Sequence, residues 1–189
     1  MRTNFTVIYD ANIFFGAFRR TVMMHLAQAG IFRARWTEDI HKEWMSRLKE
    51  RHPEIDIEKI QRTRGLIDAA VPDCLVRSYR AIAKGLELPD EDDRHVLAAA
   101  IKAGAQVIVT YNVRDFPSET LSEYDIEAQH PDDFILYQKE ENLSLVIEKL
   151  RRCRMEFHNP PYSVEEFNQR LRTSELPLTA SWIEGNNLL

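Results

Sequence analysis

Two short β-branched runs constrain this chain most: FTVIY at residues 5–9 and QVIVT at 106–110. Each reads as a buried strand, and each delivers an aspartate at or soon after its C-terminal end, Asp10 directly and Asp115 shortly beyond. The weaker extended stretches IFRARW, CLV and DIEAQ are also separated by helix-forming sequence, with no hairpin signal between them. Strands that alternate with helices in this way pair in parallel, so the fold class is α/β.

The helices are marked by their caps. Thr37 opens a helix over 38–51 with Ile40, Trp44 and Leu48 on its apolar stripe, and Asp56 opens another through Ile57, Ile60 and Ile67. A helix is expected over Thr21–Ala29, closed by Gly30, and one from Glu91 to Ala103, stopped by Gly104. YRAIAKGL forms a helical turn or two, and a short helix lies near Leu121. Further helices start at Asp132 and follow the stripe Leu143, Val146, Ile147, Leu150 and Phe157. NPPYSVEEF interrupts the last of these, and Ser163 with Glu166 restarts it as a capping box. Residues 1–137 are therefore read as the sheet domain and 138–189 as a helical C-terminal extension.

Composition excludes several classes. With 44% apolar and 29% charged residues the chain is an ordinary globular protein. It has no long apolar stretch for a membrane span or signal peptide, which leads to the expectation of a cytoplasmic protein with no membrane partner. Cys74 and Cys153 stand in no ligand-like spacing and are read as reduced. A net charge of -5 argues against indiscriminate nucleic-acid binding but leaves room for a basic groove.

The stretch LPDEDDRHVLAAA places Asp90, Glu91, Asp92 and Asp93 ahead of small apolar residues. On helical geometry Asp92 and Asp93 face the core with Val96 and Leu97, while Asp90 and Glu91 face solvent. A carboxylate on a buried stripe is costly unless it is neutralised, paired or bound to metal. In open parallel sheets ligands collect beyond the C-terminal strand ends, where Asp10 and Asp115 also lie. Glu43, and next to it Asp39, border the apolar stripe of the 38–51 helix as a further acid. An all-oxygen set of this kind suits a hard divalent ion, Mg²⁺ or Mn²⁺. Thr110 and Asn112 can orient a nearby acid or a water. His41 and His95 form no metal pair and are read as surface residues.

Assembled, the segments VIYDANIFF, TEDIHKEW, LPDEDDRHVLAAAI and VIVTYNVRDF resemble the PIN-domain family of metal-dependent ribonucleases, and within it VapC-type toxins with a helical C-terminal extension. The resemblance covers about Phe5 to Tyr137. It implies an α/β/α sandwich around a central parallel sheet, Mg²⁺ or Mn²⁺ as cofactor, RNA as substrate, a cognate antitoxin and often a homodimer. It also selects Glu43 over Asp39. Asp10, Glu43, Asp93 and Asp115 are then expected to hold metal and activate a water for phosphodiester hydrolysis, leaving 5′-phosphate and 3′-hydroxyl ends. Asp92, Thr110 and Asn112 assist from behind.

RNA must also be gripped. Arg19 and Arg20, Arg33 and Arg35, and Arg62 and Arg64 are local basic pairs, and Trp36 or Tyr111 could stack on a base. Two other readings compete. One is a phosphatase that forms an aspartyl-phosphate on Asp10, although Asn12 stands where a second aspartate is wanted. The other is a non-catalytic protein-binding module.

Overall fold

A computed structural model describes residues 5–156 and 160–189, so Phe157 of the expected apolar stripe lies outside the described residues. Among those residues four parallel strands form one sheet: β1 (Thr6–Tyr9), β2 (Arg33–Arg35), β3 (Val107–Val109) and β4 (Glu127–Gln129), in the order β2-β1-β3-β4. Helices flank the sheet in an α/β/α arrangement, with further helices at the C-terminal end. Every residue of β1 and β3 is buried, as expected for strands covered on both faces. Tyr9 lies opposite Val109, so the C-terminal ends of β1 and β3 open side by side. The stretch CLV contributes only a parallel bridge between Trp36 and Leu75.

The first helices begin sooner than the apolar pattern indicates. Asp10 ends β1 and immediately caps α1 (Ala11–Phe15), accepting the Ala11 N–H at 2.6 Å. After Gly16, α2 runs over Ala17–Ala27, four residues ahead of the expected start at Thr21. α3 (Glu38–Arg51) and α4 (Ile57–Ala70) follow their expected caps, with Thr37 accepting from Ile40 and Asp56 from Glu58. α5 (Arg80–Ala83) leads to the acidic segment.

That segment departs from the expected helix. Glu91–Asp93 form a 3-10 turn, and α6 (Arg94–Ala103) starts only after it. A 3-10 turn rotates each residue further than an α-helix does, which breaks the face shared by Asp92 and Asp93. Asp92, whose N–H is held by the Asp90 carboxylate at 2.9 Å, is exposed rather than core-facing, while Asp93 is half-buried. Beyond the turn, Ala98, Ala99 and Ala100 are fully buried and let α6 lie close to the sheet. Gly104 ends the helix at φ 60°, a left-handed conformation that glycine adopts without steric cost.

α7 (Ser118–Ser122) precedes β4, and α8 runs from Pro131 to Glu156. It comprises the two helices expected there, separated by a kink at Asn142, whose backbone is non-helical at φ -136° and ψ 39°. α9 (Val164–Thr173) carries the Ser163/Glu166 capping box, and α10 (Pro177–Asn186) closes the fold. These helices share the core: Phe167 packs on Phe18 at 5.5 Å between ring centres, and Val146, Leu150, Leu171 and Ala180 are fully buried. Asp132, 2% exposed, accepts the N–H groups of Leu178 and Thr179 at 2.7 and 2.8 Å and the Thr179 hydroxyl at 2.6 Å. A buried carboxylate from α8 thus caps the start of α10.

An aromatic cluster of Tyr9, Phe14, Phe32, Trp36 and Trp44 fills the space under α3. His41 belongs to it. It is completely buried, not a surface residue: the Trp44 indole N–H donates to its Nδ1 at 2.9 Å, leaving Nε2–H for Asp68 at 2.8 Å. Trp36 donates to the same Asp68 oxygen at 2.8 Å. With no exposed surface, Trp36 has no face to offer a base.

Candidate active site

The site forms where β1 and β3 end. Asp10 is 4% exposed and its carboxylate is held from three directions: Ala11 N–H at 2.6 Å on one oxygen, and Asn12 Nδ2 at 2.6 Å with Thr110 Oγ1 at 2.7 Å on the other. Asn12 also donates to Thr110 Oγ1 at 2.8 Å and accepts the Tyr111 N–H at 3.2 Å, which ties the end of β1 to the loop after β3. Thr110 is therefore the residue that orients Asp10. Asn112 contributes only its backbone N–H, donated to Thr110 Oγ1 at 3.0 Å, and its side chain is exposed.

Glu43 enters from α3. It pairs with Arg47 at 3.0 Å on the same helix and with His95 Nε2 at 3.3 Å from α6. His95 is a part-buried neighbour of the acids, not a surface residue, and its other ring nitrogen is buried without a hydrogen-bond partner. Asp39 faces elsewhere: Arg80 grips both of its oxygens at 2.7 and 2.8 Å and Tyr79 donates at 2.6 Å. Those hydrogen bonds hold its carboxyl well below the ordinary range and commit both of its oxygens to Arg80 and Tyr79.

Charge links the acids across the site. Burial pushes Asp93 up to about 7, and the like charges of Asp10, Asp90, Glu43 and Asp115 push in the same direction. Asp10 rises to about 6, again through burial first, with Thr110 opposing the rise and Glu43 adding to it. Among the described residues no three His, Cys, Asp or Glu side chains are grouped closely enough to cage a metal ion. The donor chemistry nonetheless fits one kind of ion. Mg²⁺ keeps several waters and is commonly held through one or two carboxylates, so an open all-oxygen site suits it better than a closed cage would.

The expected arginines divide. Arg19 lines a cavity of about 550 Å³ beside the acids, together with Asn12, Arg47, Arg51 and Tyr111. Arg20 is half-buried and donates to the Phe14 carbonyl at 2.7 Å. Arg33 and Arg35 line a separate cavity with Gly30 and Asp73, and Arg64 is engaged by Glu38 and Asp68. Arg62 is exposed on α4. Arg47 and Arg51 are not adjacent basic pairs, but their spacing marks them: they follow Glu43 by four and eight residues, on the same helical face.

Comparison with known proteins agrees with this architecture. The family profile described as PIN domain matches residues 6–114, and the profile described as VapC50 C-terminal domain matches residues 131–185. Over 46 residues the chain is 59% identical to a Mycobacterium tuberculosis (strain ATCC 25618 / H37Rv) protein named "Putative ribonuclease VapC50". That stretch is 24% of this chain and 27% of the relative, so the match spans about a quarter of the relative's length. No solved structure matches the chain.

Proposed function

Because the chain belongs to the PIN-domain family, with a VapC50-type C-terminal domain behind it, we propose that it is a metal-dependent endoribonuclease and the toxin of a VapBC-type toxin–antitoxin pair. What supports this reading is that the charges of Asp10, Glu43 and Asp115 all bear on Asp93, and that Asp10 stands where two adjacent parallel strands end side by side. Part-buried carboxylates that repel one another are unfavourable in themselves, and a bound cation would relieve that repulsion while keeping them ionised. The name of the Mycobacterium relative points to the same class of activity.

Asp10, Glu43, Asp93 and Asp115 would hold Mg²⁺ or Mn²⁺. A divalent ion there supplies positive charge for the scissile phosphate and lowers the pKa of the attacking water. Thr110 and Asn12 fix the Asp10 carboxylate, and His95 and Arg47 fix Glu43, so the donors are oriented before substrate arrives. Arg19, Arg47 and Arg51 draw the RNA backbone toward the acids. Hydrolysis by water leaves a 5′-phosphate and a 3′-hydroxyl.

The aspartyl-phosphate reading has less support, because both Asp10 oxygens are already hydrogen-bonded and Asn12 donates where that chemistry needs an acid. The division of labour proposed here leaves the C-terminal helices, from residue 138 onward, as the place for an antitoxin or a second copy to dock. Incubating the purified protein with RNA and Mn²⁺ tests the function directly. Cleavage is expected, with loss in EDTA and in Asp93→Asn, and cleavage that survives both overturns the proposal.

A further inference from the structure

The cavity beside the acids is not built by the sheet domain alone. Its mouth includes Glu175, from the turn between α9 and α10, which ion-pairs with Arg19. The Arg19 guanidinium lies 4.2 Å from the centre of the Tyr111 ring, and the Tyr111 backbone is tied through Asn12 to Asp10. Glu175 is delivered by a fixed frame. Leu176 beside it is fully buried, Asp132 caps the following helix, and Glu175 itself holds φ 61°, a left-handed conformation that a non-glycine residue adopts only where its surroundings fix it.

The other charges of the cavity are arranged differently. Arg47 is paired with Glu43, Glu50 is exposed, and Arg51 is exposed with its guanidinium 5.7 Å from the Phe15 ring. Guanidinium groups beside aromatic rings take phosphates at their edges and bases on their faces. Arg19 has that form already, but a carboxylate occupies its edge. A cavity of about 550 Å³ matches a single nucleotide, and only an unpaired one can insert its base.

We propose that this cavity seats one unpaired nucleotide of the RNA next to the scissile bond, and that its phosphate takes Arg19 in exchange for Glu175 of the C-terminal helices. The inference rests on the ribonuclease reading and adds to it a role for the C-terminal extension: it sets the threshold for substrate entry. Arg19 keeps its contact with Tyr111 and changes only its anionic partner. Glu175 is largely exposed and can turn to solvent when displaced.

The test is a double-mutant cycle on binding, read without turnover. A mixed-sequence, fluorescently labelled single-stranded RNA of about a dozen nucleotides is titrated in EDTA with the full-length wild type, Glu175→Gln, Arg19→Met and the double variant. Glu175→Gln is expected to bind about threefold to fivefold tighter. Arg19→Met is expected to bind about tenfold weaker and to lower the slope of log affinity against log salt by about 0.7. The double variant should match Arg19→Met. Unchanged binding in Glu175→Gln, or equal tightening with Arg19 absent, overturns the exchange. Cleavage by the wild type alongside either result removes this inference alone, whereas an intact cycle without cleavage in Mn²⁺ removes the nuclease reading and leaves the nucleotide seat.

Discussion

The Thr110 hydroxyl donates to the buried Asp10 carboxylate at 2.7 Å, joining the ends of two neighbouring strands that lie a hundred positions apart in the chain. With the Ala11 N–H and the Asn12 amide, this bond fixes which way Asp10 points. Thr110→Val keeps the shape and removes the donor. Cleavage and divalent-ion affinity are each expected to fall by about 10- to 100-fold with the fold retained, which metal titrations and circular dichroism would check.

Asp93 should trade stability for function. Its carboxyl is raised to about 7 by burial and by the acids around it, so folding favours its protonated form. A raised folded-state pKa in an acid means that stability is fully present below the ordinary carboxyl range and falls as pH rises toward and through about 7. Without divalent ions the wild type should therefore melt at a lower temperature at pH 8 than at pH 6, as far as this group is concerned. Asp93→Asn should flatten that difference and melt higher at pH 8 while losing cleavage. A variant that melts lower at pH 8 than the wild type would contradict the repulsion.

The His41 cluster predicts the opposite trend in acid. Burial depresses the His41 pKa, against the pull of Asp68, and hydrogen bonds from Trp36 and His41 outweigh burial to lower that of Asp68. Depressed folded-state values in both groups mean stability that is present above the ordinary histidine range and is lost as pH falls, first through His41 and then through Asp68. Asp68→Ala strands the Trp36 and His41 donors in the core and is expected to cost about 2 to 4 kcal/mol. Urea unfolding at pH 7 measures it.

Docking of the last helix depends on Asp132. Asp132→Ala leaves the N–H groups of Leu178 and Thr179 and the Thr179 hydroxyl without their acceptor, at an expected cost of about 2 to 4 kcal/mol. Hydrogen exchange should rise selectively over 177–186. Protection unchanged across α10 would mean that apolar packing alone holds the helix.

Much of this was readable from local pattern. Strand-end aspartates follow from β-branched runs, and Thr37, Asp56 and Ser163 cap where their side chains can reach the next backbone N–H groups. Glu43 was visible from its place beside an apolar stripe, and the Asp39 contact with Arg80 gives the physical reason it stands apart. What escaped depends on contacts far along the chain. Asn12 is two residues from Asp10, but its role comes from Thr110, and His95 acquires meaning only when α6 meets α3. His41 looked polar, yet it sits three residues before Trp44, and a partner in Asp68 allows an imidazole to be core. The face assigned to Asp92 failed because a 3-10 turn replaced one α-helical turn.

The order of the strands has a consequence during synthesis. β1 is an interior strand made first, but its neighbour β3 begins only at Val107. A nascent chain carries Asp10, Glu43 and Asp93 well before it has the hydroxyl of Thr110 to aim the first of them or Asp115 to complete the set. Glu175 emerges later still, and with it the rim of the cavity. The acid set is therefore complete only once residue 115 has been made, and a chain interrupted before that point carries its carboxylates unassembled.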